Sequence, residues 1–175
     1  MYRGELVSLR PFTREHMERT LGWVNDSEVA FPLGRCRPVT MLEHEQWYQS
    51  AVRDSRNVFF AIEETRDGTH VGNIWLWGIH GENRNAELRI LVGQRDQQRR
   101  GFGSEAVKLL LDMAFTRLNL HKVFLYVLAG NEPALKAFTR AGMRIEGTLR
   151  EEFFVGGRYE DVHRLGILRT EWEAR

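Results

Sequence analysis

The residues best equipped for chemistry crowd into one stretch, Gln98-Arg99-Arg100-Gly101-Phe102-Gly103, which runs straight into Ser104-Glu105-Ala106-Val107-Lys108-Leu109-Leu110-Leu111. Two glycines one residue apart let the backbone turn so that successive N–H groups point the same way. A helix opening there adds unpaired donors and a partial positive charge. Together they make a socket for phosphate oxygens. Taken alone, the two glycines serve equally well as a plain strand-to-helix turn. Two common phosphate motifs are excluded by spacing. No Gly-x-x-x-x-Gly-Lys-Ser/Thr occurs, and position 106 is Ala where a dinucleotide loop needs its third glycine.

The elements that must position this stretch are legible from periodicity. Residues 6–12 read as a short strand ended by proline. Met17, Leu21 and Val24 recur at helical spacing, so a helix is expected over 13–25. Residues 26–39, with Pro32, Gly34 and Pro38 and no period, read as a loop. Thr40-Met41-Leu42-Glu43 fits a capping box for a second helix, with Trp47, Tyr48 and Ala51 on its apolar face. Strands follow at 58–62, 71–79 and 86–92, joined by hairpin-type turns and therefore antiparallel. After the glycine stretch comes a helix whose Val107, Leu110, Leu111, Ala114 and Leu118 share a face. The strand at 122–128 then lies parallel to 86–92 in a right-handed crossover. Asn131-Glu132-Pro133 opens a further helix closed by Gly142, and strands at 144–155 and 161–169 flank a Gly156-Gly157 turn. The order is β-α-α-β-β-β-α-β-α-β-β: a single α/β domain over residues 1–175.

Composition narrows the function classes. The 25 basic and 24 acidic residues are mixed along the chain, which gives no general pull toward nucleic acid or anionic membrane. Cys36 is the only cysteine, so no intrachain disulfide forms, which suits a reducing cytoplasm. The first residues lack the apolar run of a leader, and no apolar run of about 20 residues is present to span a bilayer. Six histidines are scattered without ligand spacing, so no metal site is expected.

The pattern Gln/Arg-x-x-Gly-x-Gly/Ala, then helix, strand, Asn and a second helix ending in Gly, resembles the GNAT superfamily of acyl-CoA N-acyltransferases. The ending Glu146-Gly147-Thr148-Leu149-Arg150-Glu151-Glu152-Phe153-Phe154, with Gly157-Arg158-Tyr159-Glu160-Asp161-Val162, is similar to the branch containing ribosomal-protein N-terminal and bacterial spermidine acetyltransferases. The resemblance implies a GNAT-like mixed, mostly antiparallel sheet of about seven strands with about four helices, splayed at its central parallel pair. It implies acetyl-CoA in that splay, with the pyrophosphate on the loop Gln98, Arg99, Arg100, Gly101, Phe102, Gly103 and Ser104. Leu91 and Val92 would offer backbone hydrogen bonds to the pantetheine arm and the thioester oxygen, and Asn131 would meet the pantetheine end or cap its helix, or both. The second substrate is a primary amine, on a polyamine, an amino sugar, an aminated antibiotic or a protein N-terminus. Homodimers are common in the branch.

Amine acetylation needs the free base, yet an alkylamine has a pKa near ~10.4. A carboxylate must therefore help remove a proton, directly or through water. Glu87 matches a recurrent acidic site of the branch; its alternative is a solvated residue paired with Arg89. Glu151, Glu152 and Asp161 are weaker candidates. Where the spermidine enzymes carry a tyrosine to protonate the leaving thiolate, this chain has Phe138, leaving Tyr126 or Tyr159 to substitute. Trp23, Trp47, Trp75 and Trp77 are either core or lining of an acceptor pocket, near which Cys36 is also expected. The competing class is a catalytically degenerate acyl-CoA-binding or regulatory module, for which Phe138 is the only support.

Overall fold

The computed structural model describes residues 1–35, 37–93 and 100–175. Its strands are β1 (Tyr2–Arg3), β2 (Val7–Pro11), β3 (Val58–Glu64), β4 (His70–His80), β5 (Asn85–Val92), β6 (Lys122–Leu128), β7 (Arg144–Val155) and β8 (Arg158–Leu168). They form one sheet in the order β1-β2-β3-β4-β5-β6-β8-β7. Every neighbouring pair is antiparallel except β5–β6, which is parallel. The helices are α1 (Met17–Asn25), α2 (Ser27–Ala30), α3 (Met41–Arg53), α4 (Phe102–Thr116), α5 (Glu132–Arg140) and α6 (Arg169–Glu173). None is long and apolar enough to cross a membrane.

The class is the expected one, with eight strands and six helices among the described residues. The additions β1, α2 and α6 are two, four and five residues long, too short to leave a periodic trace. Two further corrections have local causes. The stretch read as a loop over 26–39 contains α2 and a 3-10 turn at Phe31–Leu33, started by Asp26, whose carboxylate accepts the Glu28 N–H at 2.9 Å. Leu118 does not share the face of α4: that helix ends at Thr116, Leu118 is exposed, and Leu120 enters the core in its place.

Alternation along β5 decides which side of the sheet each residue serves. Ala86, Leu88 and Ile90 pack into the main core with Phe102, Val107, Leu110, Leu111 and Phe115 of α4. Burial of each such leucine or phenylalanine contributes about 1.5–3 kcal/mol. Leu91 points the other way, onto Trp23, Val24 and Val29 of α1 and α2. The parallel pairing of β5 with β6 covers only Asn85↔Lys122, Ala86↔Val123 and Glu87↔Phe124. Beyond that, β5 stays with β4 as far as Val92 while β6 continues along β8. A wedge therefore opens in the middle of the sheet, directly after Glu87.

Candidate active site

A cavity of about 1070 Å³ runs through this wedge and reaches both faces of the sheet. Single small-molecule pockets are roughly 300–1,000 Å³, so there is room for two reactants. Glu87, Leu91, Val92, Gly103, Ser104 and Asn131 all line it. Arg100, Gly101 and Phe102 stand at the start of α4 just outside the lining, while Gln98, Arg99 and Cys36 lie outside the described residues.

The start of α4 is distinguished by what it lacks. Gly101 is its N-cap at φ 85°, a left-handed conformation that L side chains rarely adopt, and no side chain caps the helix. The first amides of the helix are thus left for another acceptor. Gly103 is needed for proximity: a Cβ there would lie 3.2 Å from Val92 Cγ2, so the glycine brings the helix start against β5. Uncapped amides beside a cavity of this size fit the pyrophosphate and arm of acetyl-CoA. The side chains at this helix start are engaged elsewhere in the fold. The Arg100 guanidinium donates to Glu64 at 2.8 and 3.4 Å and lies over the Phe102 ring, so its main chain alone faces outward tasks. Phe102 is 1% exposed and belongs to the core. Glu105, in the first turn of α4, accepts the N–H groups of Glu5, Leu6 and Val7 at 3.0, 2.8 and 2.7 Å.

The β5 backbone is also sorted by register. Gly93 N–H donates to the Val71 carbonyl at 2.9 Å. In an antiparallel ladder the residues two apart repeat that orientation, so Leu91, Arg89 and Glu87 turn their main-chain groups toward β4. Val92, Ile90 and Leu88 turn theirs toward the wedge. Val92 therefore has the orientation expected of a thioester partner, whereas Leu91 contributes its side chain to the α1 face. Asn131 is the N-cap of α5, accepting the Ala134 N–H at 3.3 Å, and its amide reaches the Pro32 carbonyl at 3.5 Å.

On the α1 side, Arg89 Nε and one terminal nitrogen donate to the two Glu87 carboxylate oxygens at 2.7 and 2.9 Å, and the guanidinium lies over Trp77. Glu87 is thus both paired and placed at the mouth of the wedge. A carboxylate has about four lone-pair sites, so two remain. Phe138 lines the cavity as an apolar wall. Tyr126, on β6, is the tyrosine in the lining, whereas Tyr159 is exposed at the β7–β8 end against Phe154. Glu152 lines the cavity; Asp161 is occupied by the Glu151 N–H at 2.8 Å. Trp47 and Trp75 join the lining, while Trp23 is buried beside His70.

Three lining residues were not singled out from sequence: Arg89 as a functional group, Arg35 and His44. Arg89 was discoverable, because residues two apart on a strand share a face. Arg35 sits in irregular chain, and no pattern marks it. His44 was marked only by its spacing of three from Trp47, on which it stacks with ring centroids 5.3 Å apart. It is buried, its Nε2 has no hydrogen-bond partner among the described residues, and burial followed by the nearby Arg35 charge pushes its pKa down. Arg35 is exposed at the surface yet flanked by enough chain that partial burial, followed by the Arg89 charge, pushes its pKa down.

Comparison with known proteins meets the geometry at this point. Residues 7–144 match the family model described as an acetyltransferase (GNAT) domain. The spermidine N(1)-acetyltransferase of Vibrio cholerae is 35% identical over 130 residues, covering 74% of each chain. That of Escherichia coli is 30% identical over 168 residues, 96% of this chain and 89% of the relative. The crystal structure of the Vibrio cholerae spermidine N-acetyltransferase with CoA and spermine superposes with a TM-score of 0.90 at 28% identity, covering 97% of this chain and 99% of the other. The uncapped helix beside a split parallel pair and the match over most of the chain agree: the protein belongs to the GNAT acetyltransferase family and is an acetyl-CoA-dependent N-acetyltransferase acting on a primary amine.

Proposed function

We propose that Glu87 takes the proton from the acceptor amine, and that residues 1–175 work as one domain carrying out direct transfer. The supporting observation is its position: the last residue of β5 paired to β6, on the lip of the cavity that Val92 and the start of α4 also line. The amine nitrogen, stripped of its proton by the Glu87 carboxylate directly or through water, forms the C–N bond to the acetyl carbonyl carbon. The C–S bond breaks and the sulfur keeps the electron pair. The N–H of Val92 faces the wedge where the thioester oxygen gathers charge; one such donor is typically worth about 2.7–4 kcal/mol. The amides of residues 100–104 hold the pyrophosphate, with Gln98 and Arg99 contributing from the preceding chain, and Asn131 meets the pantetheine end while capping α5. Arg89 fixes the Glu87 carboxylate from one side and leaves its other lone pairs to the amine. A thiol of pKa ~8.5 is a tolerable leaving group without a tyrosine at position 138.

The acceptor in this reading is a small-molecule amine, with spermidine as the reference compound because two relatives are named for it. The reaction runs in the cytoplasm, as the single cysteine suggests. Thiol release from acetyl-CoA over a panel of primary amines tests the reading. Turnover lowered about a hundredfold in Glu87→Gln at neutral pH is expected. CoA binding without release on any amine would leave an inactive acyl-CoA module, and absence of CoA binding would remove the site.

A further inference from the structure

Among the described residues the acceptor half of the cavity carries three arginines, and they are not equivalent. Arg37 pairs with Glu43 at 2.9 Å, and Arg89 with Glu87. Arg35 lines the same cavity and forms an ion pair with no carboxylate among the described residues, Glu28 and Glu152 of the lining included. It follows Gly34, whose neighbour is the Phe153 ring, and its own N–H donates to the Ala30 carbonyl at 3.0 Å, so the backbone beneath it is anchored. The titratable groups that act on or feel its charge are Arg89 and the histidine His44. Arg35 is exposed at the edge of the cavity, so water screens its charge in the bare protein, and its guanidinium is left with no anion among the described residues. A further donor in the cavity, Trp75 Nε1–H, is buried and lacks an acceptor among the described residues.

We propose that the acceptor carries an anionic group, a carboxylate or a phosphate, on the same molecule as its amine, and that Arg35 binds that group. This deepens the placement of the amine at Glu87 and rests on it. The five N–H donors of a guanidinium form a planar fork that matches both oxyanions. The anion relieves the Arg35–Arg89 repulsion, while the amine end, turned toward Glu87, is the end that loses a proton. A polyamine supplies cations at both ends and leaves Arg35 unmatched.

The test compares kcat/KM for a ladder of ω-amino carboxylates and ω-aminoalkyl phosphates with alkylamines of the same length and with spermidine. At the best length, the anionic amine should exceed its alkylamine by about tenfold to a hundredfold, the range of a hydrogen bond to a charged group. The two anionic series separate carboxylate from phosphate. In Arg35→Gln the ratio of anionic amine to alkylamine should collapse toward one, mostly through KM, and Arg35→Lys should recover part of it. CoA affinity and thermal unfolding report whether the variants remain folded. An anionic preference that survives Arg35→Gln, or spermidine outperforming every anionic amine in the parent protein, overturns the proposal. Failure of every amine to release thiol while CoA still binds overturns instead the placement of the amine at Glu87.

Discussion

The two halves of the cavity are built from different materials. The half proposed to hold the cofactor is main chain: the left-handed Gly101, the amides of an uncapped α4, and the wedge-facing edge of β5. The acceptor half is side chain, gathered from α1, α3, β4, β5 and the turn at Phe31–Leu33. A main-chain socket recognises a phosphate whatever the neighbours are and tolerates little change in φ. A side-chain pocket can be rewritten residue by residue. The halves should therefore respond differently to substitution, to acid and to substrate analogues.

The largest effect is expected from Gly101→Glu. A non-glycine residue at φ 85° costs about 1–3 kcal/mol, and a carboxylate is added where phosphate oxygens sit. CoA affinity should fall by at least about a hundredfold, as read by titration calorimetry; unchanged affinity would break the assignment of the cofactor half. Next comes Glu87→Gln, which should lower kcat by about a hundredfold at neutral pH and progressively less as the amine deprotonates itself. A loss uniform across pH would make Glu87 a mere partner of Arg89.

Acid should separate the halves. His70 Nε2 binds Asn73 Oδ1 at 2.8 Å, Asn73 donates to Thr20 of α1 at 2.8 Å, and Thr20 donates to the His16 carbonyl at 2.7 Å. Burial, aided by His16 and Arg19, pushes the His70 pKa from 6.5 to about 4 against the hydrogen bond to Asn73. Between those values the unfolded chain binds more protons than the folded one, so stability is full above about pH 6.5 and is lost as pH falls toward about 4. The expected loss is about 3 kcal/mol. Hydrogen exchange should show α1, which roofs the acceptor half, loosening before α4; simultaneous loosening would dissolve the distinction. The smallest effect is expected from Phe138→Tyr, within about threefold in kcat, because a thiolate of pKa ~8.5 leaves without help. A larger gain would show that proton donation limits the rate.

The same division explains what was legible in the sequence. Gly101, Gly103 and the helix after them announce the left-handed turn and uncapped helix start that the structure shows, because glycine placement and helical periodicity are local signals. The capping box at Thr40 and Glu43 is present, with Thr40 N–H on the Glu43 carboxylate at 2.8 Å and Glu43 N–H on Thr40 Oγ1 at 3.2 Å. The Asn131 cap of α5 is equally local. Arg35, His44 and Trp75 converge only because β3, β4 and β5 lie side by side beneath α1 and α3. No spacing along the chain encodes that convergence. The commitment of Arg100 to Glu64, 36 positions earlier, was hidden for the same reason.

Glu105 carries a further consequence. A carboxylate one turn inside an anion-binding helix would ordinarily compete with the ligand for the same positive end. Here its lone pairs are spent on three amides of the turn before β2. The opening residues of the chain thus act as a charge screen for the proposed socket about a hundred positions away, and that proposal makes the tightness of phosphate binding depend on how well the first turn is held.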